Sequence, residues 1–260
     1  MTKKKVKDKN KNNVITKPKF YLFIGSSGSG KTFASKKILE EDLAHVDKMN
    51  RYLISKTAKP TMDDTLLPYF DEDNIENVYS DAHLEAFVKM VEDEREEIYN
   101  DFYYDEDIIE FTRTKKKKKG KPQYNQFILM VDDFIENMRN ANKVDGLSAF
   151  ITKARHFGIH LIFTSQYYLS VSPVIRSNMK YLYFFGCNQK ELKKICEEHN
   201  IFRKNSDFEL YFRFLTMEQY SCMIVNNNNE TMKILDDNSP TPMEFKRMIK
   251  TGEIDDSILL

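Results

Sequence analysis

Residues 20–39, FYLFIGSSGSGKTFASKKIL, run from an apolar segment through a glycine- and serine-rich loop into a lysine-bearing one. Phe20 to Ile24 reads as a buried strand, while Phe33, Ile38, Leu39 and Leu43 recur at roughly helical spacing, so the loop joins a strand to a helix. Gly25, Gly30, Lys31 and Thr32 fit the pattern G-x-x-x-x-G-K-[ST], and strand–loop–helix is the setting in which that pattern cradles phosphate. The expected phosphate-binding set is Gly25, Ser26, Ser27, Gly28, Ser29, Gly30, Lys31 and Thr32. Backbone N–H groups of Ser26 to Thr32 would converge on the α- and β-phosphates at the positive end of a helix, and glycines permit an approach that a Cβ would block. Lys31 would reach the β- and γ-phosphates and the Thr32 hydroxyl would ligate Mg²⁺, so the expected cofactors are ATP and Mg²⁺. The alternative is an ordinary serine-rich turn between strand and helix.

The 260 residues, 41% of them hydrophobic, suffice for a sizeable core and suit one large α/β domain with additions. No run of 18 apolar residues occurs, and the lysine-rich start has no apolar segment behind it. The expectation is therefore no membrane span, no secretion, and work in the cytosol or a comparable compartment. Cys187, Cys196 and Cys222 are too few and too scattered for a disulfide framework or a zinc knuckle and read as reduced core fillers. No metal site is expected beyond the Mg²⁺ that accompanies the nucleotide.

Forty basic side chains balance forty acidic ones, so overall charge gives no argument for a nucleic-acid partner. The charges are nevertheless segregated. Residues 1–19 carry eight Lys against one Asp, residues 81–110 carry twelve Asp or Glu against Lys89 and Arg95, and RTKKKKKGK, residues 113–121, holds seven cations in nine positions. Each basic block is either a solvated tail or loop, or a sequence-independent contact to a phosphate backbone that releases counterions. The run Lys115 to Lys119 is open between the two.

Strand-like runs recur at 51–57, 74–80, 126–134, 158–166, 181–186 and 219–225, with TMKIL from 231 as a hairpin partner. Helical stretches lie between them, at 81–99, up to about Phe157, and near 189–199. Strands alternating with helices predict a mostly parallel sheet covered on both faces. The expected organisation is a flexible basic tail at 1–17, an ATPase domain at 18–236 with a charged insertion at about 100–125, and a C-terminal extension at 237–260.

FILMVDD delivers Asp132 and Asp133 to the carboxyl end of its strand, the edge of a parallel sheet where ligands sit. Asp132 would hold the Mg²⁺ shell opposite Thr32, and Asp133 would polarise the water that attacks the γ-phosphate. Without the glycine loop, the same Asp pair would read as a helix cap. Gln166, after a strand ending in TSQ, falls at the same edge, where an amide can hold the attacking water; otherwise it is a polar loop residue. Arg155 ends the preceding helix, where a cation is favoured by the helix dipole without any function. His156 and His160 lack partners at ligand spacing and read as structural.

The order of glycine loop, FILMVDD, ARHFGIHLIFTSQ and VIRSN resembles the FtsK/HerA superfamily of DNA-pumping ATPases. Within it, the chain is similar to the virion packaging ATPases of large DNA viruses and their relatives, the poxvirus-type packaging ATPase among them, over roughly residues 18–225. The resemblance implies a RecA-like (ASCE) P-loop NTPase fold, Gln166 as γ-phosphate sensor, and a trans-acting arginine finger for which Arg155 and Arg176 are both candidates. Asp133 stands where many relatives carry Glu, and the insertion has no counterpart. What the resemblance implies for function is an ATP-driven translocase of double-stranded DNA, a homo-oligomeric ring loading a viral capsid, with a capsid protein as partner. Its place would be the host cytoplasm at the assembly site, or the virion. The competing expectations are a P-loop phosphotransferase of nucleotide-kinase type, which needs an arginine-rich lid, and a slow nucleotide-gated scaffold ATPase.

Overall fold

The computed structural model describes residues 17–55, 65–104, 122–133, 145–227, 231–232 and 240–254. Its centre is an eight-stranded sheet of strands β1 (Phe20–Ile24), β2 (Arg51–Ser55), β3 (Ile75–Glu76), β4 (Phe127–Asp132), β5 (Ile159–Ser165), β6 (Tyr181–Phe184), β7 (Met223–Asn226) and β8 (Thr231–Met232). In space they run β3-β2-β4-β5-β1-β6-β7-β8. The first six are parallel, and β7 and β8 close one side as an antiparallel pair. The mostly parallel sheet expected from the sequence is therefore present. β5 is inserted between the strand that feeds the glycine loop and the strand that ends in the aspartates.

The helices are α1 (Lys31–Lys37), continued as a π turn over Ile38–Asp42, α2 (Asp81–Tyr104), α3 (Asp145–Ala154), α4 (Pro173–Asn178), α5 (Gln189–His199), α6 (Asn205–Leu215) and α7 (Pro242–Thr251). Because β1 is apolar at every position, it buries both faces. Tyr21 and Phe23 pack under Ala34, Ile38, Leu39 and Leu43 of the α1 side. Phe20, Leu22 and Ile24 meet Leu84, Phe87 and Val91 of α2 and Phe150, Ile151 and Ala154 of α3 on the other face. Those spacings are the single apolar stripe that lets α2 bury one side while its acidic residues stay in water.

Three helices, α4, α6 and α7, have no counterpart in the strand-and-helix reading of the sequence. In α6, Phe208, Tyr211, Phe212 and Leu215 form a buried face. α7 begins with a capping box, Thr241 to Glu244, behind which Phe245 is fully buried against Tyr211 and Phe214. The acidic helix expected over 81–99 runs on to Tyr104. Residues 1–16 of the basic tail expected at 1–17, and the run Lys115 to Lys119, lie outside the described residues. Among the described residues no helix is long and apolar enough to cross a membrane.

Candidate nucleotide site

Register brings the ends of four strands to one edge. Ile24 pairs with Ser165, Ser55 pairs with Asp132, and Val131 pairs with Phe163, so the glycine loop, the aspartates and Gln166 emerge side by side. They border a cleft of about 660 Å³ lined by Ser27, Gly28, Gly30, Lys31, Thr32, Asp132, Asp133, Thr164 and Gln166, among others.

The loop is held by steric necessity. A Cβ on Gly25 would lie 2.6 Å from Ser29 Oγ and 2.8 Å from Phe185 Cβ. Gly30 has φ of 105°, which L side chains rarely adopt, and a Cβ there would come 3.1 Å from the Tyr220 ring. The Lys31 ammonium donates to the carbonyls of Gly25 (2.6 Å) and Ser26 (2.8 Å), across the mouth of the loop. Burial pushes its pKa down from the ordinary value, opposed by the charges of Asp133 and Asp132. Ser29 Oγ is buried without a hydrogen-bond partner among the described residues.

The carboxylates are organised by a residue that sequence reasoning passed over. Thr164 Oγ1 donates to Asp132 Oδ1 at 2.6 Å and accepts the backbone N–H of Asp133 at 2.8 Å. Ser55 donates to the other Asp132 oxygen at 3.3 Å. Burial pushes the Asp132 carboxyl up, the Thr164 hydrogen bond works against that, and the Asp133 charge adds to the rise. Asp133 has φ of 47°, a left-handed turn outside the strand. From there its carboxylate accepts the Gln166 amide on both oxygens, at 3.1 and 3.0 Å.

These groups share one cleft with the glycine loop and the Lys31 ammonium. Residues 7–239 match the family model described as Poxvirus A32 protein. The chain belongs to the poxvirus A32 protein family. A curated relative, an uncharacterized protein of Acanthamoeba polyphaga mimivirus, is 27% identical over 124 residues, which cover 47% of this chain and 43% of the relative. The match thus spans less than half of that relative's length.

Among solved structures, the genome packaging NTPase of Sulfolobus turreted icosahedral virus 2, in complex with AMPPCP, aligns with a TM-score of 0.54 at 14% identity, covering 86% of this chain and 100% of the other. The DNA-packaging ATPase of Sulfolobus turreted icosahedral virus aligns with a TM-score of 0.51 at 17% identity, covering 84% and 98%. At these identities the likeness is one of fold, that of the P-loop packaging ATPases.

Not every residue singled out in this poxvirus A32 family chain reaches the cleft. Arg155 is exposed, donates to the Asn178 carbonyl at 3.0 Å, and lies 5.0 Å from the ring centre of Phe20. Phe20 begins the strand whose far end leads into the loop, so about 13 Å of strand separates Arg155 from its own glycine loop. Arg176 is buried and committed: its guanidinium donates to Glu198 (2.8 and 3.2 Å) and to the Val171 carbonyl (2.6 Å). Burial alone would raise the Glu198 carboxyl, but the hydrogen bonds from Arg176 and Tyr168 outweigh it and hold that carboxyl below its usual range.

His160 is fully buried, accepts the Lys19 N–H at 3.1 Å, and is pushed by burial to about 3, which keeps it neutral at pH 7. Cys187, Cys196 and Cys222 are free thiols, and burial pushes Cys187 and Cys222 up to about 12, far from a reactive thiolate. The helix-cap alternative for the Asp pair concerns residues after Asp133 that lie outside the described residues.

Proposed function

We propose that this chain binds ATP with Mg²⁺, hydrolyses it, and in a ring of like subunits uses the energy to move double-stranded DNA, without regard to sequence, into a viral capsid. The observation that carries this reading is the convergence of Lys31, Asp132, Asp133 and Gln166 on one cleft, with Thr164 tying the Asp132 carboxylate to the Asp133 backbone N–H. Lys31 balances the charge that grows on the β- and γ-oxygens as the terminal bond breaks. Asp133 takes a proton from the water that attacks the γ-phosphorus, and ADP and inorganic phosphate are the products. Gln166, already bonded to Asp133, holds that water in line.

Thr32 and Asp132 fit a magnesium ion. Among the described residues no group of three or more His, Cys, Asp or Glu is placed to hold a metal by itself. A hydroxyl and one carboxylate beside substrate phosphates make the partial shell that Mg²⁺ accepts, and the ion would neutralise phosphate charge there.

A phosphotransferase would need arginines over the phosphates, and no arginine is among the described residues that line the cleft. That favours hydrolysis. It also leaves the positive charge of a finger to a neighbour: Arg155, exposed at the opposite edge of the sheet, is suited to reach the next subunit's γ-phosphate in a head-to-tail ring, whereas Arg176 is tied to Glu198. The Lys115 to Lys119 run is proposed to contact the DNA backbone, a capsid protein to receive the motor, and the host-cell assembly site or the virion to be its location.

The reading is tested by ATP turnover with and without duplex DNA. A severalfold rise that is the same for unrelated duplexes and fades with salt is expected, because backbone contacts release counterions. Turnover indifferent to DNA contradicts the motor and favours the slow scaffold ATPase.

A further inference from the structure

The cleft has two chemically different ends. The carboxylates and Gln166 lie where β4 and β5 end, on one side of β1. Tyr220 lies in the turn that enters β7, and β7 stands on the other side of β1, beyond β6. Tyr220 and Phe33 both line the cleft, yet their residues are 60% and 67% exposed.

The backbone at Tyr220 makes the exposure informative. The Ser221 N–H donates to the Glu218 carbonyl at 3.1 Å, closing a turn in which Tyr220 has φ of 68°. That is the third turn position, where positive φ favours glycine or asparagine. An aromatic residue there costs conformational energy that a ring left largely in water does not return by packing. The turn sets the ring over Gly30, since a Cβ on that glycine would meet Tyr220 Cδ1 at 3.1 Å and Cβ at 3.4 Å. Strain at a cleft wall, with an exposed aromatic ring held beside the phosphate loop, is the arrangement of a ligand platform.

We infer that Tyr220 is the surface on which the purine base of the nucleotide stacks, with Phe33 flanking it. The inference rests on the nucleotide reading above. Lys31 addresses the β- and γ-phosphates, and the γ-end must face Asp133 and Gln166 for hydrolysis. The α-phosphate then sits over the turn into α1, and ribose and base leave on the side away from the carboxylates, where Tyr220 stands. Stacking reads the face of a base rather than its edge, so this subsite adds affinity for nucleosides over bare phosphate chains and discriminates little between purines.

Two probes separate base from phosphate: ATP and inorganic tripolyphosphate, each titrated onto the full chain. Tyr220→Ala weakens ATP roughly tenfold, the loss of one base–aromatic stack, and leaves tripolyphosphate unchanged. Tyr220→Gly guards against misfolding. Glycine suits φ of 68°, so its melting temperature is at least that of the native chain while ATP is lost to the same extent. Lys31→Ala weakens both probes together. If Lys31→Ala weakens neither, the nucleotide reading fails and takes the platform with it. If the Lys31 dependence holds while the Tyr220 variants keep the native ratio of ATP to tripolyphosphate affinity, the platform alone is overturned; a change confined to subunit assembly counts the same way.

Discussion

Lys31→Ala is expected to cut ATP turnover roughly a thousandfold or more and to weaken ATP binding with it. Among the described residues that line the cleft Lys31 is the only lysine or arginine, and its ammonium already spans the loop through the carbonyls of Gly25 and Ser26. A triphosphate in the cleft would face Asp132 and Asp133 as well, so without the lysine its negative charge meets two carboxylates and no side-chain cation among the described cleft residues. Fold stability should change little, because burial already disfavours the charged form of Lys31 and alanine removes that cost along with the two hydrogen bonds. Steady-state turnover and calorimetric titration of ATP read the two effects. Turnover within tenfold of the native chain would remove Lys31 from the phosphate role.

Asp133→Asn is the second large effect, and it differs in kind. Asparagine tolerates positive φ better than other side chains, so the left-handed turn at φ of 47° survives the exchange. The Gln166 amide can present its oxygen to the new side chain, and the Thr164 contact, which is to the backbone N–H, is untouched. What disappears is a proton acceptor. Turnover should therefore fall about 100- to 1000-fold while the dissociation constant for ATP stays within a few fold. Asp133→Asn with native turnover would show that the carboxylate is not the base. A parallel loss of ATP affinity would mean that Asp133 holds the nucleotide rather than activating water.

Much of this architecture could be read from the chain because it depends on local pattern. The glycine loop is contiguous, β1 is apolar throughout and β4 and β5 are largely so, since strands buried on both faces show no alternation to confuse. Asp132, Asp133 and Gln166 could be placed because each follows such a run. What escaped the sequence depends on register. Thr164 reads as one more β-branched strand residue until β4 and β5 are paired, when its hydroxyl falls between the two aspartates. Ser55 matters only because it pairs with Asp132 across β2 and β4.

Arg176 looked available in VIRSN because its partner, Glu198, lies 22 residues away on α5. Tyr220 carried no signal, since positive φ at a tyrosine is a property of the turn and not of the letter. Other features were legible and were not used. The spacing of Phe208, Tyr211, Phe212 and Leu215 is helical, and TPME, with Thr241 capping and Pro242 at the first turn, announces α7.

The claim that hydrolysis drives movement along DNA is tested most directly by displacement of a labelled third strand from a triplex placed at one end of a long duplex. The native chain, given ATP and Mg²⁺, should strip the third strand with a lag that grows with the length of duplex between entry and triplex, for any intervening sequence. Lys31→Ala should strip none while still binding the duplex. Native protein that hydrolyses ATP in the presence of the duplex but leaves the triplex intact at every length would contradict the account.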